Sequence, residues 1–187
     1  MQKLGIKVKQ YYAAEIDKHA IQVTQHNFPN TIQLGDVTKV FAKDLPKIDL
    51  LIGGSPCQGF SFAGKQLAFD DPRSKLFFEF VRLKNECNPT YFMLENVKMK
   101  KEFEIIISKY MGVAPIEINS ALLSAQNRVR LYWTNIANEP YGLFGDMQCM
   151  IPQPKYKGIL LRDILQSNVA DKYYLTDKAE KVGYIPQ

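Results

Sequence analysis

Ile48-Asp49-Leu50-Leu51-Ile52-Gly53-Gly54-Ser55-Pro56-Cys57-Gln58-Gly59-Phe60-Ser61 sets the reading of the whole chain. A short apolar run that breaks on two glycines is how a buried strand of a parallel sheet ends at a functional loop. Pro56 fixes its own φ and biases Ser55 away from helix, so the backbone presenting the Cys57 sulfur is held stiffly at the strand's carboxyl end. That end is where open α/β sheets take their ligands. A cysteine is most often a small buried hydrophobe. Between Pro56 and Gln58, in a glycine-rich polar loop, a thiol is poorly placed to pack and well placed to attack. On this stretch alone both readings stand.

On either side, short apolar runs alternate with helical patterns. Gln10 to Ile16 reads as a strand that delivers Glu15 at its end, and Asp17 caps a helix running to about Asn27, stopped by Pro29-Asn30. Thr31 to Leu34 is a second strand closed by Gly35-Asp36, and Thr38 to Ala42 a helical turn. Ile48 to Ile52 is the third strand. The connection from Gly53 to about Pro72 is long for a loop without structure of its own, a length that suits a mobile lid. Ser74 to Cys87 carries apolar residues at 76, 77, 80, 81 and 83, a helical stripe ended by Asn88-Pro89. Thr90 to Leu94 is a fourth buried strand with Glu95-Asn96-Val97 following it, and Lys98 to about Met111 a basic helix. Ile116 to Leu122 and Leu131 to Ile136 complete the strands. This alternation predicts an α/β fold with a doubly wound, mostly parallel sheet. From Ala137 the pattern shifts to Pro, Gly and Tyr, so residues 1–136 are expected to form the core domain and 137–187 a distinct C-terminal region.

Composition narrows the class. With 187 residues, 46% hydrophobic and 23% charged, the chain suits one ordinary globular domain. No apolar run approaches the ~20 residues that span a bilayer, and the N-terminus lacks a signal-peptide layout, so a cytoplasmic protein with no membrane partner is expected. Cys57, Cys87 and Cys149 are odd in number and widely spaced, which fits neither a disulfide framework nor a zinc site. His19 and His26 are the only histidines, and no structural metal is expected. A net charge of +5 is compatible with nucleic acid as partner without requiring it.

Polar residues gather at the predicted strand ends: Glu15, Asp36, Cys57, Glu95, and the pair Arg128 and Arg130. Glu15 suits a ribose-hydroxyl ligand, though spacing alone favours an acid complementing a helix start. Asp36 after glycine reads as a ligand or a turn residue. Glu95 directly follows an apolar run and so lies near the ligand crevice. Arg128 and Arg130, two apart, face one side if extended, or form a solvated basic turn.

Three of these places together resemble the DNA cytosine-5 methyltransferases of bacterial and phage type, over about Tyr11 to Ile136. Gly54-Ser55-Pro56-Cys57-Gln58-Gly59-Phe60-Ser61 is similar to the family's Pro-Cys-Gln motif, Glu95-Asn96-Val97 to its Glu-Asn-Val motif, and Gln126-x-Arg128-x-Arg130 to its Gln-x-Arg-x-Arg motif. They are joined by Asp71-Pro72-Arg73-Ser74 and Leu76-Phe77-Phe78. The resemblance implies a Rossmann-like fold that takes the methyl group from S-adenosyl-L-methionine and places it on C5 of a cytosine flipped out of double-stranded DNA. By the same resemblance Cys57 adds to C6, Glu95 hydrogen-bonds or protonates N3, Arg128 holds O2, Arg130 braces the Cys57 loop and Gln126 supports that turn. Gln58, Ser61 and Asn96 fall among the expected substrate contacts. Glu15 corresponds to the ribose ligand, Asp36 to the adenine-amine contact, Ile16 and Val37 to the apolar neighbours of the adenine ring, and Pro56 joins this cofactor set. The chain departs from the family at both ends: the first strand with its Phe-x-Gly-x-Gly loop and the closing C-terminal helix have no counterpart here. That strand would lie mid-sheet, between the strands ending at Glu15 and Ile52. The expectation is a partial catalytic domain over 1–136, followed by the start of a target-recognition region, with weak cofactor binding by this chain alone. A complementary polypeptide supplying the absent motifs, a non-catalytic subunit of the same fold and a transfer-RNA methyltransferase stay open.

Overall fold

The computed structural model describes residues 5–55, 75–143, 145–167 and 169–170. In chain order its elements are β1 (Tyr12–Ala13), α1 (Lys18–Asn27), β2 (Ile32–Gln33), β3 (Leu50–Gly54), α2 (Lys75–Cys87), β4 (Tyr91–Val97), α3 (Lys101–Met111), β5 (Ile116–Asn119), β6 (Val129–Thr134), β7 (Asn138–Tyr141) and β8 (Asp146–Cys149). The architecture is α/β, and the sheet carries parallel and antiparallel pairs.

Local chemistry accounts for the helix ends. Asp17 caps α1 by accepting from the backbone nitrogens of His19 and Ala20 at 2.7 and 3.0 Å. Gly112 closes α3 at φ +72°, a conformation that costs glycine little.

The strands assemble in separate pieces. β1 and β2 form a parallel pair, while the main sheet runs β3-β4-β6-β5. β3 and β4 are parallel, with Gly54 opposite Glu95, and β6 lies antiparallel to β4. Among the described residues β1 pairs only with β2 and β3 only with β4. That division falls where the resemblance puts its additional strand.

The core belongs to the main sheet. Phe77 and Phe80 of α2, Phe92 and Leu94 of β4, Ile107 and Met111 of α3, and Leu131 and Trp133 of β6 form one cluster. The indole nitrogen of Trp133 reaches Ser108 Oγ at 2.9 Å, so its polar edge is satisfied inside the apolar cluster. A methyl group on Gly53 would overlap Phe80 Cδ2, so α2 packs on β3 because residue 53 has no side chain.

Several elements differ from expectation. β4 continues through Val97, so Glu95 and Asn96 lie within the strand and not beyond it. Arg128 precedes β6, which holds Arg130 alone of the two arginines. Asn138–Tyr141 and Asp146–Cys149, β7 and β8, pair antiparallel in the region where the sequence pattern shifts to Pro, Gly and Tyr. By packing, the described residues up to Ile118 together with Val129–Gln153 form one compact unit, and Asn119–Arg128 with those from Pro154 another. The expected boundary after Ile136 thus falls inside the first unit. No helix of the described residues is long and apolar enough to cross a membrane.

Candidate active site

Glu95 is placed by register. It pairs with Gly54 of β3 on one side and Tyr132 of β6 on the other, while Arg130 is opposite Val97. Because side chains alternate along a strand, Glu95 and Arg130 share a face and meet on the diagonal. Arg130 Nε lies 2.9 Å from Glu95 Oε1, with the two side chains 20% and 30% exposed. Such a pair adds little to stability, and its contribution is to hold the carboxylate in one orientation. Glu95 Oε2 is turned toward Gly54, where a methyl group would approach to 3.1 Å. Gly54 leaves the room that this carboxylate occupies. Arg130, expected to brace the Cys57 loop, which lies outside the described residues, has Nε on Glu95, and its Nη1 donates to Val129 O at 2.8 Å.

Asn96 points to the opposite face and is 1% exposed. Its Nδ2 donates to Ser55 Oγ at 3.0 Å and its Oδ1 accepts from the Val97 amide at 2.8 Å. Expected to touch substrate, the side chain is buried in the protein, tying β4 to the residue that leads into Pro56-Cys57. Pro56, Cys57, Gln58 and Ser61 lie outside the described residues.

Gln126 and Arg128 belong to the second unit. The Arg128 amide donates to Asn119 Oδ1 at 3.1 Å, the Arg128 carbonyl accepts from Ser120 N at 3.1 Å, and the Gln126 carbonyl accepts from Ser120 Oγ at 2.9 Å. Asn119 and Ser120 therefore shape the turn that carries the arginine. Sequence reasoning passed over them, though an Asn-Ser pair at a strand end is a turn signal.

The proposed cofactor residues follow the carboxyl ends of β1 and β2, which are parallel neighbours. Glu15 Oε1 accepts from the amides of Ile16 and Asp17 at 2.7 and 2.9 Å, which fixes the plane of its carboxylate. Ile16 is 75% exposed beside it, an apolar surface open to an aromatic ring. Asp36 Oδ1 accepts from the Thr38 amide and hydroxyl at 3.0 and 2.8 Å. Those two bonds, the amide's first, hold the Asp36 carboxyl below the usual carboxylate range. Val37, half-buried, opens the three-residue 3-10 turn Val37–Lys39 that Asp36 caps. Two oriented carboxylates flanked by an exposed aliphatic side chain are an acceptor set that fits ribose hydroxyls and an adenine amine. Among the described residues no group of His, Cys, Asp and Glu is disposed to hold a metal ion.

A family model described as C-5 cytosine-specific DNA methylase matches residues 1–182. The chain belongs to this family. Members of the family use S-adenosyl-L-methionine as methyl donor. The chain is 40% identical to the Type II methyltransferase M1.ScrFI of Lactococcus lactis subsp. cremoris, over 92% of its own length and 46% of the relative's. It is 30% identical to the orphan methyltransferase M.SPRI of Bacillus phage SPR, over 95% and 49%. The chain spans about half the length of the curated relatives it matches. A solved structure of a putative DNA modification methyltransferase encoded within an E. coli prophage aligns at a TM-score of 0.54 and 29% identity, covering 66% of this chain and 39% of that one. Spodoptera frugiperda DNMT2 aligns at 0.62 and 21% identity, over 97% and 60%, a likeness of fold.

Proposed function

We propose that this chain carries the base chemistry of DNA cytosine-5 methylation, and the observation that supports it most is the Glu95–Arg130 pair set against Gly54, two residues before Pro56-Cys57. C5 and C6 of a stacked cytosine are out of reach, so the target base leaves the duplex. Cys57, as thiolate, forms a bond to C6, a soft nucleophile on an electron-poor ring carbon. Glu95, aimed by Arg130, hydrogen-bonds or protonates N3 and draws charge from the ring, so that C5 becomes nucleophilic. Arg128 holds the base at O2. Asn96 acts on Cys57 through Ser55, by fixing the residue from which its loop starts. S-adenosyl-L-methionine supplies the methyl group that C5 takes up. The C5 proton then leaves to base, the bond from sulfur to C6 breaks, and Cys57 returns as thiolate. Glu15 would hold the ribose hydroxyls, Asp36 the adenine amine, and Ile16 with Val37 the ring faces. Residues 137–187 would open the target-recognition region.

The divided sheet favours a second element of this reading, a complementary polypeptide that supplies further motifs. A duplex pool of random sequence containing 5-fluorocytosine, incubated with the chain and S-adenosyl-L-methionine, tests both. A denaturation-resistant adduct that is lost in Cys57→Ala is expected. Formation only after a polypeptide bearing a glycine-rich loop is added supports the split enzyme. No adduct under either condition, or one that survives Cys57→Ala, overturns the proposal, and an adduct on transfer RNA in preference to duplex DNA reassigns the substrate.

A further inference from the structure

The segment after β2 has little to hold it in shape. From Asp36 to Leu45 it makes two short 3-10 turns, Val37–Lys39 and Ala42–Asp44. Its own backbone bonds are Lys39 to Asp36, Val40 to Val37, Asp44 to Phe41 and Leu45 to Ala42. It does not pair with a strand among the described residues. What fixes it comes from α2. Arg82 Nη2 donates to the carbonyl of Val40 at 2.9 Å and to that of Val37 at 3.3 Å. The guanidinium is itself aimed by acids one turn away on the same helix, Glu79 Oε2 accepting Nε at 2.9 Å and Glu86 Oε2 accepting Nη1 at 3.0 Å. Glu86 Oε2 also accepts from the Ala42 amide at 3.4 Å, and the Phe41 ring stands 5.7 Å from Arg82 Cζ. One planar fork with five donors thus answers two carboxylates and two carbonyls at once, which a single ammonium group cannot do.

We infer that Arg82 is a positioning residue for an adenine nucleoside: from α2 it holds the Asp36–Ala42 segment in the shape in which Asp36 and Val37 meet the adenine ring. This rests on the cofactor reading of Asp36 and Val37 given above, and it adds that their placement is delegated to a helix residue that touches no ligand. The carbonyl of Val37 is one residue from the Asp36 carboxylate, so a change at Arg82 is passed directly to the capped turn.

Free adenosine, titrated to millimolar concentration into the isotope-labelled full chain, is the probe, with backbone amide shifts and hydrogen exchange as readouts. In Arg82→Met, the amides of Lys39, Val40 and Leu45 are expected to exchange faster, and the dissociation constant for adenosine to rise roughly tenfold, the scale of a lost charge-assisted hydrogen bond. Exchange in β4 and β6 is expected to stay unchanged. Arg82→Lys is expected to recover part of the affinity, and it carries the test should Arg82→Met unfold. Unchanged exchange at residues 39, 40 and 45, or faster exchange with unaltered adenosine affinity, overturns the positioning role alone. If adenosine shifts neither Asp36 nor Val37 in the unsubstituted chain, the cofactor reading falls and this inference with it.

Discussion

β4 buries Phe92, Leu94 and Asn96 in a sheet backed by α2 and α3, whereas β1 and β2 span two residues each and the helix joining them buries none of its ten side chains. Val40 apart, every buried apolar residue described here comes from residue 77 or later. The two regions hold order by different means. Around Glu95, geometry is imposed by strand register and a packed core, which move little. Around Glu15 and Asp36 it is imposed by caps, short turns and the Arg82 fork, each individually weak. Glu95 and Arg130 therefore sit on a rigid platform, and Glu15 and Asp36 on one that is locally tied.

The largest expected effect separates the two regions by stability. Trp133→Ala removes a fully buried ring from the core and should cost about 3–5 kcal/mol in urea unfolding. Val23→Ala on α1, 62% exposed, should stay within about 0.5 kcal/mol. Equal losses would mean that α1 is packed as firmly as the main sheet.

Within the platform, orientation and stability should separate. Glu95→Gln is expected to slow adduct formation by about 10²–10⁴, the range for a group that acts on a proton in the reaction. Because the ion pair is partly exposed, its loss should move unfolding by no more than about 1 kcal/mol. Asn96→Ala should do the reverse at the level of folding, costing about 1–3 kcal/mol through the half-buried partners it abandons. A Glu95→Gln chain with full adduct yield would remove Glu95 from the mechanism.

The smallest effect concerns pH. Asp36 is held below its unfolded value near 3.8 by the Thr38 bonds, so its cap is fully formed above that pH and is lost as pH falls through the lower folded value. Carboxyl-carbon shifts of Asp36 should report this titration, and Thr38→Ala should move the midpoint upward. An Asp36 midpoint unmoved by Thr38→Ala would remove the hydroxyl from the forces that hold this carboxylate, leaving the amide bond alone.

Much of the frame was legible because it is written locally. Asp17 as a cap, the stripe of 76, 77, 80, 81 and 83, and the apolar runs before Gly53 and Glu95 all depend on spacing within a few residues. The pairing of β7 with β8 escaped because Pro140 and the glycines at 142 and 145 break the local strand pattern, while the ladder between the two segments supplies the order. Glu95 and Asn96 were placed after the strand because polar residues look like its end, yet β6 on one side and β3 on the other continue the ladder past them.

Residue type and order by themselves determined the family, the α/β class and the chemistry available: a thiol after proline, an acid at Glu95, arginines at 128 and 130. Only the tertiary structure decided who holds whom. That Arg130 aims Glu95, that Asn96 reaches Ser55 across 41 positions of sequence and that Arg82 grips the Asp36 turn are matters of strand register and helix docking. Those are set when distant segments bury their apolar faces together, a condition that no local spacing encodes.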